Sequence, residues 1–99
     1  NSAMRFAVAA ALALTLATSA VAHEKFKIVG TVAKVHAEQL DVKSVDGSVY
    51  EMDMFDSAAV FRNNRKVAKS ELKPGVIVTV NALGHDFFDL EVVDVHITP

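Results

Sequence analysis

Two patterns of hydrophobic and polar positions divide this chain. Residues 6–16 are an almost unbroken apolar run, whereas beyond Ala22 apolar and polar positions alternate in short stretches separated by turn chemistry. Residues 26–35 are rich in Val, Ile and Thr, which fit a pleated, half-buried surface, and predict a first strand; Gly30 inside it marks a bulge or sharp bend. Residues 39–45 set Leu40, Val42 and Ser44 against Asp41 and Lys43, the period-two pattern of a strand with one buried face. Asp46-Gly47 then turns the chain. A two-residue turn would pair Leu40 with Asp53 and Val42 with Glu51, which puts acids on the apolar face. A three-residue loop, Asp46-Gly47-Ser48, instead pairs Val42 with Met52, Leu40 with Met54 and Ser44 with Tyr50. This second register is expected, because it turns Tyr50, Met52 and Met54 inward together.

Further on, Val60 and Phe61 predict a short strand and Asn63-Asn64 a turn. Ser70-Glu71-Leu72 reads as a single helical turn capped by Ser70 and stopped by Lys73-Pro74-Gly75. Residues 76–82 form a strand, Leu83-Gly84-His85-Asp86 a turn, and residues 87–97 a last strand. The apolar phase of that strand shifts at Val92-Val93, as a bulge would shift it. Five or six short antiparallel strands with almost no helix imply an all-β fold, a small closed or nearly closed barrel of the OB type.

The leading apolar run changes the picture of where this domain works. Residues 1–3 precede Met4, the natural start, and are read as an expression remnant outside the fold argument. Arg5, the run after it and the A-x-A signal Ala20-Val21-Ala22 have the form of a signal peptide over residues 4–22, with His23 as the mature N-terminus and one domain over residues 23–99. The run falls short of the roughly 20 residues that span a bilayer, so no stable membrane insertion is expected after cleavage. A periplasmic or secreted location follows. The chain has no cysteine, so the small core must be held by β packing, by oligomerisation or by a ligand. Net charge is −2, and Arg62, Arg65, Lys66, Lys69 and Lys73 read as a solvated loop face; export makes nucleic acid an unexpected partner.

The order Gly30-Thr31-Val32, the Asp46-Gly47 hairpin, and the stretch from Val67-Ala68-Lys69 through Lys73-Pro74-Gly75 to Val78 resembles small exported bacterial OB-like domains of unassigned function. The resemblance covers nearly all of the mature chain, and its motifs are structural. A narrower resemblance is to the periplasmic copper/silver chaperone of the Cus efflux system, whose third strand carries a Trp-Pro-x-Met-x-Met run. The matching residues here are Val49-Tyr50-Glu51-Met52-Asp53-Met54. In that family the two thioethers, a histidine and the tryptophan ring hold Cu(I) or Ag(I), which implies Met52 and Met54 as ligands. Val49 replaces the tryptophan, and Ser44 stands where the histidine would.

Read from its residues alone, Met-x-Met on a strand places two soft donors on one face, which suits Cu(I) or Ag(I); the bland alternative is flexible core filler. His23, as a free N-terminus, has an α-amine and a ring nitrogen suited to Cu(II). The other histidines, His36, His85 and His96, show no metal-motif spacing. There is no G-x-S-x-G elbow and no cysteine nucleophile, so nothing specific supports a hydrolase and an enzyme is not expected. Asp86, Asp89, Glu91 and Asp94 read as an exposed strand face. Phe87 and Phe88 adjoin at a strand start, so one is expected to be buried and the other to stand exposed at the barrel rim. Two functions follow: a non-enzymatic exported domain binding Cu(I) or Ag(I) through Met52 and Met54, or a structural or interaction module that meets an envelope protein, or itself, through an edge strand or the Phe87/Phe88 patch.

Overall fold

A computed structural model describes residues 24–99; the expected signal segment and His23 lie outside them. The alternating segments become β1 (Glu24–Val35), β2 (Gln39–Ser44), β3 (Val49–Asp53), β4 (Ala59–Arg62), β5 (Arg65–Val67), a 3-10 turn (Lys69–Glu71), β6 (Ile77–Asp86) and β7 (Asp89–Ile97). The strands lie in the order β3-β2-β1-β6-β7-β4-β5, and a further β3–β7 pairing closes β1, β2, β3, β7 and β6 into a five-stranded, OB-like barrel. The β4–β5 hairpin extends the sheet outside it. Antiparallel neighbours cannot alternate all the way round a ring of five. One junction must be parallel, and it is β3 with β7, at Asp53 and Glu91. β4 also runs parallel to β7, from Asp94 to Ile97.

One side chain in two from each barrel strand points inward. Ile28, Val32, Leu40, Val42, Val78, Val80, Val92 and Val95 make up most of the buried centre, with Leu72 closing it from beyond the 3-10 turn. Each fully buried aliphatic side chain of this size contributes about 1.5–3 kcal/mol relative to exposure. That burial holds a chain that has no disulfide. The predicted bulge in the last strand is present: Asn81 faces Asp94 but Ala82 faces Val92, so Val93 is the extra residue, turned out to solvent, and Val92 and Val95 both reach the core.

Four local expectations are corrected. The β2–β3 hairpin does use a three-residue loop, but the loop is Val45-Asp46-Gly47, not Asp46-Gly47-Ser48. Leu40 therefore faces Met52 and Val42 faces Tyr50, two positions from the expected register. The reason is backbone chemistry: the Gly47 N–H donates to the Ser44 carbonyl at 3.0 Å in a tight turn, and Gly47 takes φ +93°, which glycine supplies without strain. A slip of two keeps every side chain on its face, so Tyr50, Met52 and Met54 still point inward.

The bulge in β1 lies between Val32 and Lys34 rather than at Gly30. Gly30 is required for another reason, since a Cβ there would run into the carbonyl of Lys43. Ser70 does not cap the 3-10 turn, which begins one residue earlier after Ala68 and has no side-chain cap. Finally, Leu83-Gly84-His85-Asp86 continues β6, and the chain reverses at Phe87-Phe88 instead. β5 was not expected; the Asn63-Asn64 turn, with both residues at positive φ, folds Arg65 and Lys66 back onto β4.

Candidate functional site

Phe26, Tyr50, Phe87 and Phe88 gather where the start of β3 approaches the β6–β7 turn. Asp86 and Asp89 pair across that turn, and the Asp86 carboxylate accepts a 2.8 Å hydrogen bond from the Phe88 N–H, fixing a tight reversal without glycine. Gly84, just before it, lets the Asp89 carbonyl come close, because a Cβ would collide with that oxygen. The turn aims its two phenylalanines differently. Phe87 folds back, its ring 4.9 Å from that of Phe26 in an edge-on contact and 5.5 Å from that of Tyr50. Phe88 projects outward and is 96% exposed; one of the pair was expected to be buried, but Phe87 is only half-covered by the Phe26 and Tyr50 rings and remains 46% exposed.

Between this turn and β3 lies an open cleft of about 540 Å³, lined by Ser48, Val49, Tyr50, Glu51, Phe87 and Phe88. Further along the same β3–β7 seam is a smaller hollow of about 170 Å³ walled by the acids Asp53, Asp89 and Glu91 together with Leu83 and Gly84. Among the described residues, no lysine or arginine lines either one. Glu51 receives a long 3.4 Å contact from the Gln39 amide, which also donates to Asp41 at 2.8 Å, and Asp89 faces His85 at 2.8 Å. At the hairpin beside the cleft, the Asp46 carboxylate accepts from the Ser48 N–H at 3.0 Å, and that bond chiefly holds its pKa below the usual carboxylate value.

The residues singled out for metal chemistry do not meet here. Met52 is 0% exposed, opposite Leu40 in the packed centre. Met54 is 6% exposed and lines a separate cavity of about 270 Å³ at another part of the barrel, shared with His36 and Lys69. His23 lies outside the described residues. His36, His85 and His96 each face one carboxylate, of Asp41, Asp89 and Asp94 respectively, and His96 also stacks on Phe61. Among the described residues, no three His, Cys, Asp or Glu side chains group closely enough to hold an ion.

Phe87 and Phe88 were flagged in the sequence, but as the start of a strand. Tyr50 and Phe26, which make the cleft's apolar wall and its support, were not foreseen. The signal lay in Asp86-Phe87-Phe88-Asp89, two large apolar residues held between acids able to close a turn. No protein-family model matches this chain, and no curated protein or solved structure matches it either.

Proposed function

We propose that this chain is a non-enzymatic, exported interaction domain that engages a partner protein through the cleft around Phe87 and Phe88. The observation that carries this reading is the contrast within one turn: Phe87 is committed to Phe26 and Tyr50, while Phe88 stands in solvent beside an aromatic cleft. An exposed phenylalanine forgoes about 1.5–3 kcal/mol of burial, which a partner recovers on binding. Export rests on Arg5, the apolar run and Ala20-Val21-Ala22.

The second reading is Cu(I) or Ag(I) binding through Met52 and Met54. In its favour, Met54 and His36 line one cavity. Against it, an ion reaching Met52 would have to part Leu40 and Val42 in a fully packed centre, where any opening costs burial.

The interaction reading is tested by selecting a displayed random-peptide library on the immobilised protein, with Phe88→Ala as the counter-selection. Enrichment of sequences that bind the wild type and not the variant supports it. No enrichment, or enrichment indifferent to Phe88, refutes it.

A further inference from the structure

β3 is an unfinished edge beside the cleft. Ser44 N–H donates to Ser48 C=O at 2.8 Å, so by antiparallel alternation the hydrogen-bonded pairs of the hairpin are 44/48, 42/50 and 40/52. The backbone groups of Val49 and Glu51 therefore point away from β2. On that far side, among the described residues, β7 is in ladder register with β3 at Asp53 alone, and from Asp94 onward β7 pairs with β4. Among the described residues, positions 49–51 thus have no ladder partner on the side that faces the cleft, with the Phe87-Phe88 turn as its opposite wall.

An open edge accepts an added strand through main-chain hydrogen bonds, with alternate side chains setting specificity. The charges at this edge say which strand. Glu51, Asp53, Asp89 and Glu91 line the seam, and the cations closest in register, Lys43 opposite Val49 and Lys25 opposite Leu83, line neither hollow. A second copy of this chain fits poorly. Its basic edge strand β5 offers Arg65 and Lys66, but its one apolar residue, Val67, already packs against its own core and has nothing to place in the aromatic cleft. Two copies meeting cleft to cleft would set these carboxylates against one another.

We propose that the occupant is an extended, basic segment of a partner protein that adds to β3 along residues 49–51. It places one apolar side chain against Tyr50, Phe87 and Phe88, and Lys or Arg side chains over Glu51, Asp53, Asp89 and Glu91. This rests on the interaction reading above and gives it a partner class and a binding mode.

The test uses the whole protein and three synthetic octapeptides, followed by amide NMR. The first alternates Lys with Val around a central Phe, the second replaces every Lys by Glu, and the third repeats the first with alternate backbone amides N-methylated. The first should shift signals of residues 48–53 and 86–91 and slow exchange of the Val49 and Glu51 amides. Its affinity should fall at least about tenfold, a loss of 1.4 kcal/mol, on N-methylation, on Lys-to-Glu replacement, in Phe88→Ala, and in the double variant Glu51→Lys/Asp53→Lys. Because the methylated and acidic peptides probe the wild type, a variant that fails to fold does not decide the matter.

Binding that needs Phe88 but neither protects those amides nor distinguishes the methylated peptide overturns strand addition and leaves the interaction domain standing. Equal binding of the acidic and basic peptides overturns the charge assignment. If the basic peptide fails while the library yields Phe88-dependent sequences, the partner class is wrong; if the library fails too, the interaction reading falls with it. Concentration-dependent mass abolished by Arg65→Glu/Lys66→Glu would make a second copy the occupant and overturn the proposal.

Discussion

Leu40 and Met52 face each other across the β2–β3 ladder, and both are fully buried. Met52→Ala should therefore cost about 2–5 kcal/mol through lost burial and a residual cavity, whereas Met52→Leu should cost less than about 1.5 kcal/mol. A double-mutant cycle between Leu40→Ala and Met52→Ala should return a coupling of about 0.5–3 kcal/mol, larger than the coupling of Leu40 with Met54. Urea unfolding supplies the values. The same Met52→Leu protein separates packing from ligation: if Met52 binds Ag(I), wild type shows a Met52 methyl shift on adding the ion and the variant loses its affinity with little change in stability.

Two glycines should respond to alanine for different reasons. At Gly30 a Cβ meets the Lys43 carbonyl, a backbone atom that moves only if the β1–β2 pairing moves, so Gly30→Ala should destabilise by about 1–3 kcal/mol or more. At Gly47 a Cβ meets nothing, and only the positive φ is unfavourable, so Gly47→Ala should cost about 1–2 kcal/mol. Backbone amide shifts give a second readout. Gly30→Ala should perturb residues on both β1 and β2, and Gly47→Ala only the hairpin tip; the reverse pattern would contradict this account of Gly30.

Asp46 should give the hairpin an acid dependence of defined sign. The Ser48 N–H stabilises its ionised form, so its folded pKa lies below the ordinary 3.8. A carboxylate depressed in the folded state contributes stability above its unfolded pKa and loses it as pH falls through the folded value. Its contribution should be complete above about pH 5, decline as pH falls past 3.8, and be gone only below the folded value, which lies lower still. Carbon-13 titration of the side chain should show a midpoint under 3.8, and Asp46→Ala should remove this part of the acid dependence. A midpoint at or above the ordinary value would mean that the Ser48 bond does not form in solution.

These positions also show what periodicity can and cannot resolve. Alternation in residues 39–45 and 49–54 fixed which apolar side chains enter the core, because a one-residue slip would have exposed Leu40 and Val42. The same alternation did not show that Asp41, on the other face, is itself buried, its carboxylate in contact with His36 and Gln39. It could not separate two registers differing by two residues, since both satisfy the same faces; that choice was made by Gly47 and the Ser44 carbonyl. The bulge at Val93 was legible because it interrupts the apolar phase in the sequence itself. The end of β6 was not. Gly84-His85-Asp86 has the composition of a turn, yet Gly84 serves the close approach of Asp89, and the reversal falls on two phenylalanines whose hydrophobicity argues for a strand. β5 was hidden similarly, because Arg65 and Lys66 resemble a solvated loop until the Asn63-Asn64 turn folds them onto β4. The cleft combines residues far apart in sequence, Tyr50 with Phe87, and no local pattern announces such a meeting.

Neighbouring Phe87 and Phe88 should separate stability from binding. Phe87 packs edge-on against Phe26 and tilted against Tyr50, and aromatic pairs of this kind contribute about 0.5–1.5 kcal/mol beyond the area they bury. Phe87→Ala should therefore destabilise the domain by about 1–3 kcal/mol. Phe88 is 96% exposed, its conformation set by its own N–H bond to Asp86 rather than by its ring, so Phe88→Ala should stay within about 0.5 kcal/mol of wild type. Binding should show the opposite order of interest: Phe88→Ala should weaken a selected peptide at least about tenfold with the fold intact, and Phe88→Trp, which keeps a large aromatic face at the tip, should retain it. Thermal or urea unfolding and peptide titration on the same protein samples decide the matter. A Phe88→Ala protein as unstable as Phe87→Ala would mean that the ring packs in solution. One that is fully stable and binds as well as wild type would mean that the exposed phenylalanine is not the contact that recruits a partner.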